Sequence, residues 1–318
     1  MTGKTRLAAL AAANAFLLAS LVYGLFFSTG AAAKRSGNAP LSRMFPAAGP
    51  QGITLRDAEE TVLRRDGEGW TVMLNGKPFP ADPGKVEGLV RAAGEARPGR
   101  IVTENRGLWE RFGVGDDAPA RIVFSFPGGT VELILGEEEE SGGGQYVRFP
   151  GTDAVRLLSR SLAFYTVQKT SYWSFLRLFP GDLDGRSVTS VTVEKGPATA
   201  LFRENAGGGL LWKRPGGGVE VDQRAADSLA DLLARLSGTE FANDEERAAA
   251  GLENPALRVS FTTAGRKTHA VAFGGPAGEG RRYCAGFSDG KPLPHLYKIG
   301  DFTYDRIGKL VRELAEAP

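Results

Sequence analysis

Trp70 and Trp212 stand 142 positions apart and open the same series of signals. From Trp70 the chain runs to Asp82-Pro83, an apolar-periodic stretch from Val86 to Ala93, Gly113-Val114, Pro119, a strand-like Ile122–Phe126, a turn at Gly128-Gly129, and Leu133–Gly136. From Trp212 it runs to Asp222, a periodic stretch from Ala226 to Leu236, Gly251-Leu252, Pro255, Leu257–Phe261, a turn at Gly265, and Val271–Gly274. The offsets at the Asp, the first Gly, the Pro and the last Gly are 140, 138, 136 and 138. One period carried through so many signals predicts a tandem duplication, and two copies of one unit share one fold.

The local chemistry of each copy mixes hairpins with a helix. In the first, Ile53–Leu55, Thr61–Leu63 and Trp70–Leu74 are β-prone runs, with Asp66-Gly67 and Asn75-Gly76 as turns. Asp82 is placed to accept from the first free amides of a helix and Pro83 fits its first position. Val86, Leu89, Val90 and Ala93 then recur at i, i+3, i+4 and i+7, one buried helical face. A short turn of helix is expected over 108–112. Hairpin strands follow at 121–126 and 130–135, further strands at 146–149 and 154–157, and a closing helix over 158–165. In the second copy Val188–Val193 is a strand, Asp222 caps a helix burying Ala226, Leu229, Leu233 and Leu236, and Thr303 is the expected cap of the last helix. The predicted fold class is α+β: a tandem duplication of a mostly antiparallel sheet-plus-helix unit behind one N-terminal transmembrane helix. Repeat 1 covers residues 51–168, repeat 2 covers 188–318, and a connector spans 169–187.

Between Arg6 and Lys34 lie 27 residues without a charge. A helix over 7–30 is long enough to cross a hydrocarbon core of about 30 Å. A cleaved signal peptide ending near Ala31–Ala33 is the competing reading, but its apolar core would run only about 7–15 residues, shorter than this stretch. A retained anchor is therefore expected, with residues 1–6 as a cytoplasmic tail, the bilayer as a partner of residues 7–30, and residues 31–50 as a Pro-containing linker. The rest of the chain is expected outside the cytoplasm, on the periplasmic side of the inner membrane.

The net charge of +2 conceals two regions. Residues 1–50 carry five basic groups and no acid; the remainder carries 34 basic and 37 acidic groups. A folded part with an acidic balance lacks the excess of cations that phosphate backbones require, which excludes nucleic acid as an expected partner.

Reactive groups are sparse. Cys284 is the only cysteine, and the two histidines are His269 and His295. Cys284 and His295, with Asp289 or Asp301, are a conceivable nucleophile, base and orienter. However, Cys284 aligns with Val147 of the first copy, which reads as a small core apolar. His269 falls in an alternating strand and reads as a surface imidazole. Glu137–Glu140 lacks the alternating oxygens and central Gly of a calcium loop and reads as a solvated hairpin end. Gly265-Arg-Lys-Thr268 lacks the preceding Gly and following helix of a phosphate loop. No catalytic, cofactor-binding or metal-ligating residue is expected. Tyr172, Trp173, Phe175 and Phe179 concentrate apolar surface in the connector; they are either core or candidate partner contacts.

Taken together, Gly69-Trp70, Pro80-Ala-Asp82 opening a helix, Phe112-Gly-Val114 with Pro119, the strand ending in Gly136, the Phe175–Val191 connector and Ala250-Gly-Leu252 with Pro255 resemble the bacterial family catalogued as domain of unknown function 4340. The resemblance covers about residues 53–310. It brings no activity and no catalytic residues. It implies association with ABC transporters of the gliding-motility type, alongside a permease and an auxiliary extracytoplasmic protein. The functional expectation is a non-enzymatic, membrane-anchored extracytoplasmic accessory or scaffold subunit of such an envelope complex. The alternatives are a ligand-binding module holding a glycan, peptide or lipid between the repeats, and an envelope hydrolase using Cys284 and His295.

Overall fold

The computed structural model describes residues 39–316 apart from 68, 141, 207–208 and 218–219. The expected tail (1–6), the apolar segment (7–30) and the first part of the linker (31–38) lie outside the described residues. Among the described residues no helix is long and apolar enough to cross a membrane. The chain forms two compact units that divide between Trp173 and Ser174, inside the segment expected to connect them. Both are mostly antiparallel sheets with a few helices, an α+β arrangement.

Unit 1 begins with a 3₁₀ turn, Leu41–Met44, and a meander of β1 (Gly52–Arg56), β2 (Glu60–Asp66), β3 (Gly69–Leu74) and β4 (Lys77–Pro80). Helix α1 (Pro83–Glu95) leads to β5 (Pro98–Thr103) and two 3₁₀ turns, Arg106–Leu108 and Glu110–Phe112. Four strands follow, β6 (Arg121–Phe126), β7 (Gly129–Glu138), β8 (Gln145–Arg148) and β9 (Val155–Leu158), then the short helices α2 (Ala163–Thr166) and α3 (Thr170–Trp173). The strands lie in the order β4-β3-β2-β1-β6-β7-β8-β9-β5.

Unit 2 comprises β10 (Val188–Lys195), β11 (Ala200–Ala206), β12 (Gly209–Lys213), α4 (Gln223–Ala234), β13 (Glu240–Phe241), a 3₁₀ turn Asp244–Arg247, β14 (Leu257–Thr263), β15 (Thr268–Gly278), β16 (Arg281–Ser288), β17 (Lys291–Gly300) and α5 (Asp301–Glu316). Its order is β12-β11-β10-β14-β15-β16-β17-β13. With β4 set aside, the two orders coincide strand for strand.

The alternation of apolar residues explains which face of each sheet is covered. Ile122, Phe124 and Phe126 of β6, and Leu257, Val259 and Phe261 of β14, point into their cores. Against them lie Val86, Leu89 and Ala93 of α1, and Ala226, Leu229 and Leu233 of α4, all essentially inaccessible. Each large aliphatic chain so buried contributes roughly 1.5–3 kcal/mol. Both helices start as the sequence indicates. Asp82 accepts from Lys85 N–H at 3.2 Å, and Asp222 accepts from Arg224 and Ala225 N–H at 2.9 and 3.1 Å.

One close approach recurs in both units. Gly113 and Gly251 occupy left-handed backbone, at φ 66° and 67°, and each ends a turn whose preceding carbonyl lies against a strand glycine. Phe112 O rests against Gly136, and Ala250 O rests against Gly274. A side chain on either strand glycine would collide with that carbonyl. Gly275 N–H donates to Ala250 O at 2.8 Å and fixes the second turn in place.

Two local expectations are corrected and one strand is added. The closing helix expected over 158–165 is confined to 163–166, because Leu158 still pairs with Gln145 and Pro98. Leu162 N–H is then taken by the buried Gln145 side chain at 2.9 Å. Thr303 is not a cap. Strand β17 passes directly into α5, and Asp301 supplies the first-turn acid that complements the helix dipole. Strand β4 is added to the expected strands; it holds Pro78 and Pro80 and is an edge strand, where prolines are tolerated.

The glycine contacts yield a direct test. Gly136→Ala and Gly274→Ala should each destabilise their own unit by about 3 kcal/mol, the upper end of ordinary overpacking. Gly128→Ala, at a turn with open space around it, should change stability by less than about 0.5 kcal/mol. Urea unfolding of the three variants measures the difference.

Candidate partner-contact surface

The four aromatic residues of the connector are separated by the structure. Trp173 is fully buried in unit 1, edge-on to Tyr172 at 5.1 Å and tilted on Tyr165 at 6.1 Å. Its carbonyl accepts Asp82 N–H at 2.7 Å, so it also anchors the start of α1. Phe179 is buried in unit 2, edge-on to Phe261 at 5.2 Å. These two are core and present no surface to a partner, whereas Tyr172 and Phe175 are half-buried. Phe179 packs on Phe261 and His269 of the central strands β14 and β15, a contact with distant strands that composition does not distinguish from a patch.

The exposed aromatic surface of unit 1 lies beside Tyr172, on α2 and the residues just after it. Phe164 is 56% exposed and Val167 63% exposed. The Phe164 ring stands edge-on to Tyr165 at 5.3 Å and to Tyr172 at 5.8 Å. Lys85 Nζ lies 4.6 Å from the Tyr172 ring centre and donates to Tyr172 O at 2.7 Å. Burial raises the Tyr172 phenol above its usual range, with Tyr165 and Asp82 adding to the shift.

The base of this surface is fixed. Thr166 Oγ1 donates to Ala163 O at 3.1 Å, Thr61 and Thr170 hydroxyls meet at 3.1 Å, and Gln168 Nε2 donates to Phe164 O at 2.9 Å. A rigid support under exposed apolar side chains, rimmed by a cation, is the composition of a protein-contact patch. Unit 2 carries an aromatic at the corresponding position. Phe302, the second residue of α5, is 79% exposed and follows Phe164 by 138 positions, the offset of the paired glycines. Tyr172 is among the contact candidates in the sequence, whereas Phe164 falls within the helix expected over 158–165 and carries no local signal of its exposure.

The reactive side chains are enclosed or paired. Cys284 is fully buried and faces Phe273 across the β15–β16 ladder, as Val147 faces Leu135 across β7–β8. Burial pushes its thiol far up, so it stays protonated. His295 rests against the Phe241 ring at 5.2 Å.

His269 is not the surface imidazole expected from its strand. It is buried between the rings of Phe179 and Phe261, at 5.0 and 5.3 Å, because β15 is covered on both faces over most of its length. Its Nδ1 has no hydrogen-bond partner among the described residues. Burial lowers its pKa, Lys267 lowers it further, and Asp289 opposes both.

The densest polar cluster joins Lys298, Glu240, Glu246, Tyr283 and Arg281. Lys298 Nζ lies 3.1 Å from Glu240 and 2.8 Å from Glu246, Tyr283 donates to Glu246 at 2.9 Å, and Arg281 meets Glu240 at 2.9 Å. Burial alone would lower Lys298, but its two carboxylate partners outweigh it and raise the amine; burial and Glu246 together raise Tyr283. Burial alone would raise Glu246, but Lys298, Asn243 N–H and Tyr283 hold it below the usual carboxylate range. These shifts strengthen the existing charge state of each group, the opposite of tuning a base toward neutrality.

Among the described residues no group of His, Cys, Asp or Glu is placed to hold a metal ion. Glu139, in the acidic run after β7, pairs with Arg100 at 3.3 Å.

A family model described as "Domain of unknown function (DUF4340)" matches residues 70–255. Neither a curated protein nor a solved structure matches the chain.

Two measurements separate core from surface here. Trp173→Ala should cost about 3–5 kcal/mol, as large-to-small changes in a core do. Phe164→Ser should leave thermal unfolding within about 0.5 kcal/mol of the parent. For His269, the folded pKa lies below the unfolded value of about 6.5, so the unfolded state binds the proton first and stability falls as pH drops through that value. Calorimetry between neutral and mildly acid pH should show this loss in the parent and its reduction in His269→Phe.

Proposed function

The chain belongs to the DUF4340 family, and we propose that it is a membrane-anchored, extracytoplasmic accessory or scaffold subunit of an envelope complex, an ABC-type transporter of the gliding-motility kind. In this reading residues 7–30 remain in the bilayer, the two units descend from a tandem doubling of one α+β fold, and the working parts are surfaces instead of reactive groups. The observation that carries it is the exposed Phe164–Val167 surface on its fixed support, beside Tyr172 and Lys85.

Further observations support the parts of this reading. The doubling is supported by the shared strand order, the matched left-handed turns and the 138-residue offset common to Gly113/Gly251, Gly136/Gly274 and Phe164/Phe302. The anchor is supported by the uncharged stretch between Arg6 and Lys34. The non-enzymatic character is supported by the enclosed Cys284 thiol and by the strengthened charges of Lys298 and Glu246.

Crosslinking in intact cells, followed by mild-detergent purification and mass spectrometry, tests the proposal. The full chain should retain an ABC-type permease or ATPase subunit, and Phe164→Asp should reduce that recovery roughly tenfold, the cost of a charge in a contact worth about 1.4 kcal/mol or more. Recovery of the parent chain with no transporter subunit would remove the reading.

A further inference from the structure

The chain enters unit 1 at a fixed point. Leu41 is fully buried and its N–H donates to Ala96 O, just past the carboxyl end of α1, at 2.8 Å. Phe45 packs its ring on Phe124 at 5.0 Å and on Phe126 at 5.4 Å. The 3₁₀ turn Leu41–Met44 is thereby fastened to the carboxyl end of α1. Eleven residue steps separate Leu41 from Gly30, the end of the span read as bilayer-embedded. Fully extended they span roughly 38 Å. If residues 7–30 lie in a bilayer, this corner of unit 1 stays within that reach of its surface, at high effective concentration.

The chemistry of the corner fits that neighbour. A cavity of about 390 Å³ opens between the turn and α1, lined by apolar Pro40, Phe45, Val90 and Gly94 and by the polar Ser42, Arg91, Glu95 and Arg97. Met44 is 48% exposed beside Arg43. Arg160 pairs with Glu95 at 3.0 Å, which offsets the nearest carboxylate. Among the described residues the corner brings four basic side chains, Arg43, Arg91, Arg97 and Arg160, against Glu87 and Glu95. Apolar side chains set among arginines suit the boundary between acyl chains and anionic headgroups. The aromatic surface at Lys85 and Tyr172 lies at the other end of α1, nine residues or roughly 14 Å away. The two ends of one helix therefore address different neighbours.

We infer that the Leu41–Met44 turn and the carboxyl end of α1 form a docking surface for the anionic headgroups of the bilayer, which seats unit 1 on the membrane. This deepens the proposed function and rests on its reading of residues 7–30 as bilayer-embedded.

The test uses the full chain in a Cys284→Ala background with a spin label at Met44→Cys or, as the control at the far end of α1, at Lys169→Cys. Vesicles are phosphatidylcholine alone or mixed with phosphatidylglycerol, each carrying a headgroup-linked nickel chelate as relaxing agent. The Met44→Cys label should relax strongly on the mixed vesicles and weakly on phosphatidylcholine, while the Lys169→Cys label stays unaffected on both. Arg91→Glu with Arg97→Glu should reduce the Met44→Cys effect roughly fivefold per arginine, the loss of about one favourable charge contact each. Equal relaxation at the two positions, or no dependence on lipid charge, would overturn the docking surface.

Flotation with each vesicle type reads the anchor separately. Flotation with both types, without relaxation at Met44→Cys, removes the docking surface and leaves the anchor. Flotation with mixed vesicles only, accompanied by relaxation, supports the docking surface and removes the anchor. Flotation with neither removes both.

Discussion

Each unit is built around a backbone carbonyl seated on a strand glycine. Phe112 O over Gly136 and Ala250 O over Gly274 bring a turn and a sheet closer together than any side chain would permit. The approach needs a second glycine, Gly113 or Gly251, to turn the chain back in left-handed backbone. The central strands depend on this turn, since β6 and β14 enter the middle of their sheets from it and carry the residues that α1 and α4 cover. A backbone contact of this kind depends little on side-chain identity, which is why Phe112 and Ala250 can differ so much in size at equivalent places.

The side chains that secure the turn differ between the units. In unit 1 the guanidinium of Arg148 lies 3.8 Å from the ring centre of Trp109, donates to Val114 O at 2.8 Å, and reaches Asp116 at 2.6 Å. In unit 2 the segment ahead of Gly251 is held through Glu246, which collects Tyr283 and Lys298. A stacked arginine in one unit and a carboxylate network in the other perform the same mechanical task. Shared geometry with changed chemistry marks these groups as supports for the fold.

Much of this was legible in the sequence because it rests on local rules. Asp82 and Asp222 are helix caps by their spacing to an apolar face, and Gly113, Gly136, Gly251 and Gly274 announce themselves by recurring at one offset. The failures share a physical cause, which is context from distant strands. His269 reads as exposed because alternation signals a strand covered on one face, yet β15 is covered on both. Thr303 reads as a cap because nothing local shows that β17 runs straight into α5. Trp173 and Phe164 are both aromatic residues near the same segment, and only the packing of α2 and α3 on the sheet decides that one is core and the other surface.

The lone thiol is the feature with the widest reach. Cys284 sits within the β15–β16 ladder with no second cysteine in the chain to meet it. Nothing that holds either unit together is therefore an oxidisable bond, and nothing on the outside of the fold invites mixed disulfides. No disulfide within the chain has to form or be reduced for either unit to fold. Its architecture is thus indifferent to the redox character of the compartment in which it folds.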